Sequence, residues 1–367
     1  MLEKRRKMLI SHLTSEKNVD LAFIISPLHI YYYTGFQSEP HERFFALTID
    51  TKTEKTRLFV PTLDLEAAQK VVEVDELIPI SDSEDPYAIL KNSLPAEIQT
   101  IAVEKSYLSL LKYEQLKALY PDVSFVNVEN YIHKERMKKS SEEINHVRKA
   151  IEITEHGLKN TLEKITPGLT ELQIKAELEY QLTLLGSEGL AFDTVVLSGK
   201  KSALPHGSAG HRKVQEGDIL LFDLGIRISG YHSDITRTFV VGKSNEKQKE
   251  IYETVRIANE RAIEAVKVGK PLKSIDLAAR QYIDEKGYGQ YFIHRTGHGL
   301  GLDVHEPPSI HHENEDKIEK GLLFTIEPGI YLPSIGGVRI EDNIYVNEQG
   351  KVEVLTTFPK IFTEIGG

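Results

Sequence analysis

The feature that most constrains the fold of this chain is an internal repeat in its C-terminal two-thirds. Thr170 and Ser274 each open a helical pattern that ends at a glycine, and these two positions lie 104 residues apart. Asp223 and Glu327 each belong to an apolar strand pattern, and they also lie 104 residues apart. A repeat that places an acid at equivalent positions in two halves predicts a functional site at the interface between those halves.

The first of these acids belongs to a predicted β-hairpin. Residues 220–224 are typical of a buried strand, yet they include Asp223, and a buried carboxylate needs a cation or several hydrogen-bond donors. A two-residue turn at residues 229–230 would place Asp234 opposite Gly225. Asp234 would then be a diagonal neighbour of Asp223 on one face, with about 7–8 Å between the two Cα atoms. Two carboxylates at that separation can converge on a metal ion.

The second acid belongs to a similar hairpin. Residues 322–326 form an apolar strand pattern that leads into Glu327. A five-residue loop at 332–336 would place Glu327 directly opposite Glu341. The carboxylates of the two hairpins would then face one another, and their mutual repulsion would prevent all of them from ionising without cations. Two divalent ions about 3.5–4 Å apart form a recurrent hydrolytic centre that would remove this repulsion.

Histidines precede both hairpins. His294, His298 and His305 lie in a glycine-rich segment before the second hairpin, and His206 lies before the first. Each residue also has an ordinary structural interpretation, since the acids could form salt bridges and a lone histidine is more often a hydrogen-bonded loop residue. The glycine spacing does not fit a dinucleotide-binding loop, and no clear strand leads into it. The combination of matched acids and nearby histidines favours a metal centre.

Composition limits the metal and the partners. The 367 residues include no cysteine, so a metal must be held by His, Asp, Glu or water, which selects Mn, Co, Zn or Mg. The formal net charge of -10 argues against nucleic-acid binding. No stretch approaches the ~20 apolar residues of a membrane span, and the N-terminus lacks the apolar run of a signal peptide. We therefore expect a cytoplasmic protein without membrane contact.

The chain length predicts two domains. Strand patterns at 21–25, 57–60 and 100–103 alternate with helical patterns at 63–72 and 108–119, which indicates an N-terminal α/β domain. A boundary falls near residues 136–141, where Ser140 and Glu143 have the spacing of a capping box at the start of a helix. We predict an N-terminal domain at 1–134 and a catalytic domain at 135–367.

Several segments closely resemble the prolidases, or Xaa-Pro dipeptidases. The resemblance covers about two-thirds of the chain and rests on residues 198–241, 297–306, 325–331 and 337–342. Residues 30–36 more weakly resemble the creatinase-type N-terminal domain. The resemblance implies an α+β fold: a C-terminal pita-bread domain with an internal pseudo-twofold repeat, preceded by a smaller α/β creatinase-type domain.

The resemblance also implies a set of metal ligands, and no ligand position departs from the family pattern. Asp223 and Asp234 would bind one ion, and Asp234 would also bridge to the second. His298 and Glu327 would complete the second ion, and Glu341 would bridge both. The cofactor would be two divalent ions per subunit, Mn in the first place, with Co or Zn as alternatives.

The implied reaction is hydrolysis of the bond before proline in Xaa-Pro dipeptides. A hydroxide that bridges the two ions would attack the peptide carbonyl, and Glu327 would carry a proton to the leaving proline nitrogen. His206 and His305 would contact the substrate and stabilise the tetrahedral intermediate. His294 and Arg339 would hold the substrate's terminal carboxylate and the acidic ligands.

Two alternatives remain at this point. Aminopeptidase P releases the N-terminal residue from longer Xaa-Pro peptides, but the Pro-His-Gly motif around His206 and the short segment after Glu341 look more like prolidases. A metal-binding but inactive pita-bread protein is the second alternative. Creatinase is disfavoured by the full ligand set, and the methionine aminopeptidases are disfavoured by the N-terminal domain. The resemblance further implies a homodimer, in which N-terminal loops around residues 41–43 reach toward the partner's site.

Overall fold

The computed structural model describes residues 1–366, apart from the side chains of two residues near the N-terminus. The chain folds into two compact units, Met1–Glu135 and Arg136–Gly367. The domain limits 1–134 and 135–367 remain our proposal. Among the described residues, no helix has the length and the apolar character needed to cross a lipid bilayer.

The N-terminal unit is built on a mixed sheet of six strands in the order β4-β3-β2-β1-β5-β6. Its strands are β1 Leu21–Ile24, β2 Ala46–Asp50, β3 Thr56–Pro61, β4 Glu76–Ile80, β5 Thr100–Val103 and β6 Ser124–Asn127. The helices of this part of the chain are α1 Leu2–Lys17, α2 Pro27–Thr34, α3 Leu65–Gln69, α4 Pro86–Ser93, α5 Leu110–Leu119 and α6 Glu129–Met137. The three strands predicted from the sequence are present, and the α/β prediction for this part is confirmed.

One predicted helix is shorter than expected. The pattern at 63–72 contains a 3₁₀ turn, Thr62–Asp64, and then only the five residues of α3. The helix ends before Val71 and Val72, whose branched side chains restrict the χ1 rotamers available in a helix. The prediction for 108–119 is closer to the structure, because α5 starts at Leu110 behind an N-cap at Ser109.

The C-terminal unit contains two sheets and two short ribbons. The first sheet has the strand order β19-β11-β8-β7, and the second has the order β13-β12-β14-β17-β18. The strands are β7 Val195–Ser198, β8 Ile219–Leu224, β9 Arg227–Ile228, β10 Tyr231–His232, β11 Ile235–Val241, β12 Gly297–Gly299, β13 Glu306–Ile310, β14 Leu323–Ile326, β15 Gly329–Leu332, β16 Gly336–Arg339, β17 Asp342–Val346, β18 Val352–Val354 and β19 Glu364–Ile365. The ribbons pair β9 with β10 and β15 with β16.

Each half of this unit has its own pair of helices and its own apolar core. The helices are α7 Ser141–Leu162 and α8 Glu171–Leu184 in the first half, and α9 Glu246–Glu264 and α10 Lys273–Glu285 in the second. The predicted capping box at the start of α7 is present, because Glu143 and Ser140 satisfy each other's backbone N–H groups. Two buried clusters, one containing Leu182 and Phe222 and the other Ile275 and Phe324, form the cores of the two halves. The predicted internal repeat is therefore a repeat of the fold.

Both acidic hairpins have the predicted register. The pairs His232↔Arg227 and Ile235↔Leu224 place Asp234 opposite Gly225. The turn between β9 and β10 is the expected two-residue turn at 229–230, and both of its residues have positive φ. The first hairpin therefore brings Asp223 and Asp234 to one face of the sheet.

The second hairpin differs only in the length of its loop. Leu332 pairs with Gly336, so the loop spans residues 333–335 and the predicted five-residue loop is wrong. Gly336 makes this closer pairing possible, because its φ of 143° is disfavoured for residues with a side chain. The register is unaffected, and the pairs Gly329↔Arg339 and Ile326↔Asp342 still place Glu327 opposite Glu341.

A seam of polar contacts joins the two halves where β11 passes the second acidic strand. The Glu341 N–H donates to the Thr236 carbonyl over 3.1 Å. The guanidinium of Arg237 donates to the Glu341 carbonyl at 2.6 Å and to the Asp342 carboxylate at 2.8 Å. Arg237 is only 1% exposed, so this ion pair lies in the interior. The seam fixes the acids of one half against those of the other.

We expect Asp342→Ala to destabilise the metal-free protein by about 3–5 kcal/mol, because it leaves the Arg237 charge buried without its partner. Denaturant unfolding in the presence of a chelator would measure this loss. The matched control is Glu319→Ala, which breaks the exposed pair with Lys138 and should leave the unfolding midpoint nearly unchanged. Equal losses in the two variants would contradict the role given to the seam.

Candidate metal centre

The five residues predicted as metal ligands come together at the seam. In two groups of three, one ligand atom from each residue lies within 4.8 Å of the others: Asp223, Asp234 and Glu341 in one group, and His298, Glu327 and Glu341 in the other. Glu341 belongs to both groups. The chain therefore forms two adjacent sets of donors that share one carboxylate.

His298 presents its Nε2 atom to the carboxylates. Nε2 lies 3.3 Å from Glu327 Oε1 and 3.6 Å from Asp234 Oδ2. The other ring nitrogen, Nδ1, lies 3.1 Å from the Gly299 carbonyl, which can only accept a hydrogen bond. Nδ1 therefore carries the proton, and Nε2 keeps the lone pair that a metal needs. Burial lowers the pKa of His298 to about 3, which also favours the neutral ligand form.

The protein environment destabilises the charged forms of these carboxylates. Burial, followed by the neighbouring acids, raises the pKa values of Asp234 and Glu341 well above their ordinary range. The pKa of Glu327 rises to about 7, with burial as the largest cause. Crowded acids that are largely buried resist ionisation, and divalent cations would favour the charged forms.

Two orphaned oxygens show that the donor set fits cations. Among the described residues, Asp223 Oδ1 and Glu341 Oε1 are buried and have no hydrogen-bond partner. The second oxygen of each acid is held: Asp223 Oδ2 accepts from Arg339 at 2.5 Å, and Glu341 Oε2 accepts from Thr236 at 2.7 Å. Each carboxylate is thus oriented by one oxygen and leaves the other for an ion. Oxygen and imidazole donors suit divalent ions such as Mn, Co and Zn.

The predicted catalytic and substrate-binding residues line the same cavity of about 530 Å³. This set comprises His206, His294, His305 and Arg339. His206 and His305 are exposed, whereas Arg339 is buried. The His305 ring stands perpendicular to the His298 ring with 4.2 Å between their centroids. A third group of three contains Asp234, His298 and His305, so His305 is also within reach of a metal.

Tyr331, which was not among the predicted site residues, connects two of them. Its hydroxyl accepts from the Arg339 guanidinium at 2.8 Å and lies 2.8 Å from His294 Nε2. Burial raises the pKa of Tyr331 to about 12, so the hydroxyl keeps its proton at neutral pH. The sequence could have predicted this position, because Tyr331 follows Glu327 by four residues in an extended segment, and residues at that spacing lie on the same face of a strand.

The sequence analysis also did not predict a role for Glu171, which anchors the loop that carries His206. This fully buried carboxylate on α8 accepts from the backbone and the hydroxyl of Ser198, at 2.8 Å each. It also accepts from Lys201 at 2.5 Å and from the Gly210 N–H at 2.9 Å. Both ends of the loop are therefore tied to one helix. No local pattern in the sequence marks such a contact.

Comparison with known proteins agrees with the site. Residues 145–348 match metallopeptidase family M24, and residues 5–138 match the creatinase/prolidase N-terminal domain. The chain belongs to metallopeptidase family M24. Its M24 domain is preceded by a creatinase/prolidase N-terminal domain. It is an enzyme of the metallopeptidase class, and the predicted pita-bread fold is confirmed.

Within the family, the chain is most usefully compared with three proteins. It is 40% identical over 354 residues to the protein YkvY of Bacillus subtilis (strain 168), covering 96% of this chain and 97% of that one. The Xaa-Pro dipeptidase structure from Bacillus anthracis has 32% identity, a TM-score of 0.92 and 100% coverage of both chains. The X-Pro aminopeptidase structure from Thermotoga maritima MSB8 has 34% identity and a TM-score of 0.89, and the match covers 98% of this chain and 100% of that one.

We expect Asp234→Ala and Glu341→Ala each to abolish metal retention, because each removes a carboxylate from the cluster of donors. Metal content per subunit after Mn loading and dialysis would measure this. The matched control is Asp193→Ala, since Asp193 lines the cavity but belongs to neither group of ligands. Full metal content in either ligand variant would contradict the assignment.

Proposed function

We propose that this enzyme hydrolyses the peptide bond before proline in Xaa-Pro dipeptides at a centre of two divalent ions. The observation that carries the proposal is the pair of donor groups that share Glu341 at the floor of one cavity. Similarity to a structure named as an Xaa-Pro dipeptidase supports the choice of substrate. Mn is the proposed metal, with Co or Zn as alternatives.

The ligand roles follow the two groups. Asp223 and Asp234 would hold the first ion, His298 and Glu327 would hold the second, and Glu341, which belongs to both groups, would contribute to both. Asp234 would also contribute to the second group, since its Oδ2 lies 3.6 Å from His298 Nε2. When bound, such ions lower the pKa of water toward neutrality and polarise the peptide carbonyl. Arg339 and Thr236 keep Asp223 and Glu341 in the orientation that this requires.

Glu327 acts as the proton carrier. Its carboxylate takes a proton from the attacking water and delivers it to the proline nitrogen as the bond breaks. This delivery matters because the leaving group is a basic secondary amine, which departs poorly as an anion. Glu327 lies on the cavity wall, and its side chain keeps access to solvent through the cavity, with 16% of its surface exposed.

His206 and His305 contact the substrate. Both rings line the cavity and can donate N–H groups to the oxygen that becomes negative in the tetrahedral state. Partial desolvation lowers the pKa of His305, although the residue is exposed as a whole, and this favours the neutral imidazole, which donates through one nitrogen. His294 and Arg339 remain predicted substrate contacts, although both are already tied to Tyr331.

Aminopeptidase P activity is the second candidate, because the structure named as an X-Pro aminopeptidase from Thermotoga maritima is also highly similar to this chain. An inactive metal-binding protein is disfavoured, since every proposed ligand and His206 lie around one cavity. We further propose small proline-containing peptides as substrates, no nucleic-acid or membrane partner, a homodimer as the assembled form, and a cytoplasmic location.

The first test removes the metal, restores Mn and compares Ala-Pro with Ala-Pro-Ala. We expect cleavage of the dipeptide only when Mn is present, because the acids and His298 need cations to organise the attacking water. Release of amino acids measured by chromatography gives kcat/KM for each substrate. Preferential release of alanine from the tripeptide would instead support aminopeptidase P, and no cleavage of either would contradict both activities.

A further inference from the structure

The internal repeat also duplicates a pair of buried acids that lie outside the candidate metal centre. Glu171 belongs to the first turn of α8 and Asp276 to the first turn of α10, and they lie 105 residues apart. Both are fully buried. In the described part of the chain, neither lines the cavity or belongs to a group of possible metal ligands. The helix dipole favours an acid in the first turn whether or not it is buried, so burial in both halves indicates a further role.

Glu171 divides its two oxygens between the two ends of the loop that carries His206. Oε1 accepts from the backbone N–H and the hydroxyl of Ser198, at 2.8 Å each. Oε2 accepts from Lys201 at 2.5 Å and from the Gly210 N–H at 2.9 Å. His206 lies between these attachments and lines the cavity. The carboxylate therefore fixes the separation of the loop's ends, and with it the position of the imidazole.

Asp276 holds the segment that leads into His298 in the same manner. Its Oδ1 accepts from the Thr296 hydroxyl at 2.6 Å. Both carboxylate oxygens accept from Arg280, at 2.8 and 2.9 Å. The same guanidinium donates to the His294 carbonyl at 2.8 Å. The chain is thus anchored both four and two residues before the histidine that would bind a metal.

The backbone of Thr296 connects this anchor to a second metal ligand. Its carbonyl accepts from the Glu327 N–H at 2.7 Å, and its own N–H donates to the Ile310 carbonyl at 2.9 Å. His298 and Glu327 belong to the same group of donors. A movement of Thr296 would therefore displace two residues of that group together.

We propose that Glu171 and Asp276 are positioning residues with separate roles, in which Glu171 places His206 for the reaction and Asp276 places His298 for metal binding. The inference rests on the proposed function, because it concerns how the residues of that site are held. The repeat would then supply each half with one acid that points at the metals and one that holds a histidine segment in place.

The two roles predict different losses. Among the described residues, His206 belongs to no group of possible metal ligands, so a looser His206 loop should slow the reaction without releasing metal. A looser segment before His298 should weaken the binding of one ion. The other ion should stay, because the group formed by Asp223, Asp234 and Glu341 does not include His298.

The test compares Glu171→Gln with Asp276→Asn, since each change keeps the size of the side chain and replaces one acceptor oxygen by a donor. Glu171→Gln should lower kcat for Ala-Pro by about 10- to 100-fold and change the Kd for Mn by less than about twofold. Asp276→Asn should raise the Kd of one of the two Mn ions by about 10- to 100-fold. Excess Mn should restore most of the activity of Asp276→Asn and none of that lost in Glu171→Gln.

Milder variants and a matched control separate these roles from a general loss of stability. Lys201→Met and Thr296→Val each remove one hydrogen bond to an acid, and they should give the same two patterns with smaller losses. The control is Glu104→Gln in the N-terminal unit, where this fully buried acid accepts from the N–H groups of Ile25 and Ser26. It should lower the thermal midpoint and, well below that midpoint, leave kcat and the Kd for Mn unchanged.

Equal losses of kcat and Mn affinity in both acid variants, or a lower thermal midpoint alone, would overturn the separate roles while leaving the proposed dipeptidase function intact. A wild-type enzyme that binds Mn but cleaves no Xaa-Pro peptide would overturn the proposed function and with it the role of Glu171. The Kd for Mn would still decide the role of Asp276 in that case.

Discussion

Carboxylates that are crowded into a buried site repel one another, and the catalytic unit is organised around holding four of them together. Each of two acids is oriented by a single donor, Arg339 for Asp223 and Thr236 for Glu341, and each keeps one oxygen without a hydrogen-bond partner in the described part of the chain. A protein that only needed stability would replace such acids with apolar side chains. The retained repulsion would favour the binding of divalent cations, because each ion would attract the acids that otherwise repel one another.

This arrangement requires the two halves of the repeat to be locked in register. The donor group formed by Asp223, Asp234 and Glu341 draws residues from both hairpins, so neither half can form it alone. The Arg237 contacts across the seam fix the backbone carbonyl of Glu341 itself. A small slip between the halves would therefore move Glu341, which belongs to both donor groups, and the stability of the seam would also be a condition for the proposed metal binding.

Much of the site could be predicted because strand geometry is regular. Side chains alternate along a strand, so a turn of known length fixes which acids share a face, and the register around Glu341 was correct even though its loop is shorter than expected. Glu171 could not be predicted, because its partners Lys201 and Gly210 lie 30 and 39 residues away in a loop without periodic pattern. Contacts of that kind depend on tertiary packing, which local propensity does not encode.

The charge of the cavity depends on whether metal ions are bound. Without cations, burial and mutual repulsion raise the pKa values of Asp234, Glu327 and Glu341, so the acids of the donor groups resist carrying their full negative charge. Two divalent ions would favour the ionised forms and balance the charge of the four acids. Glu327 must be ionised to accept a proton, so the ions that activate water would also prepare the proposed proton carrier.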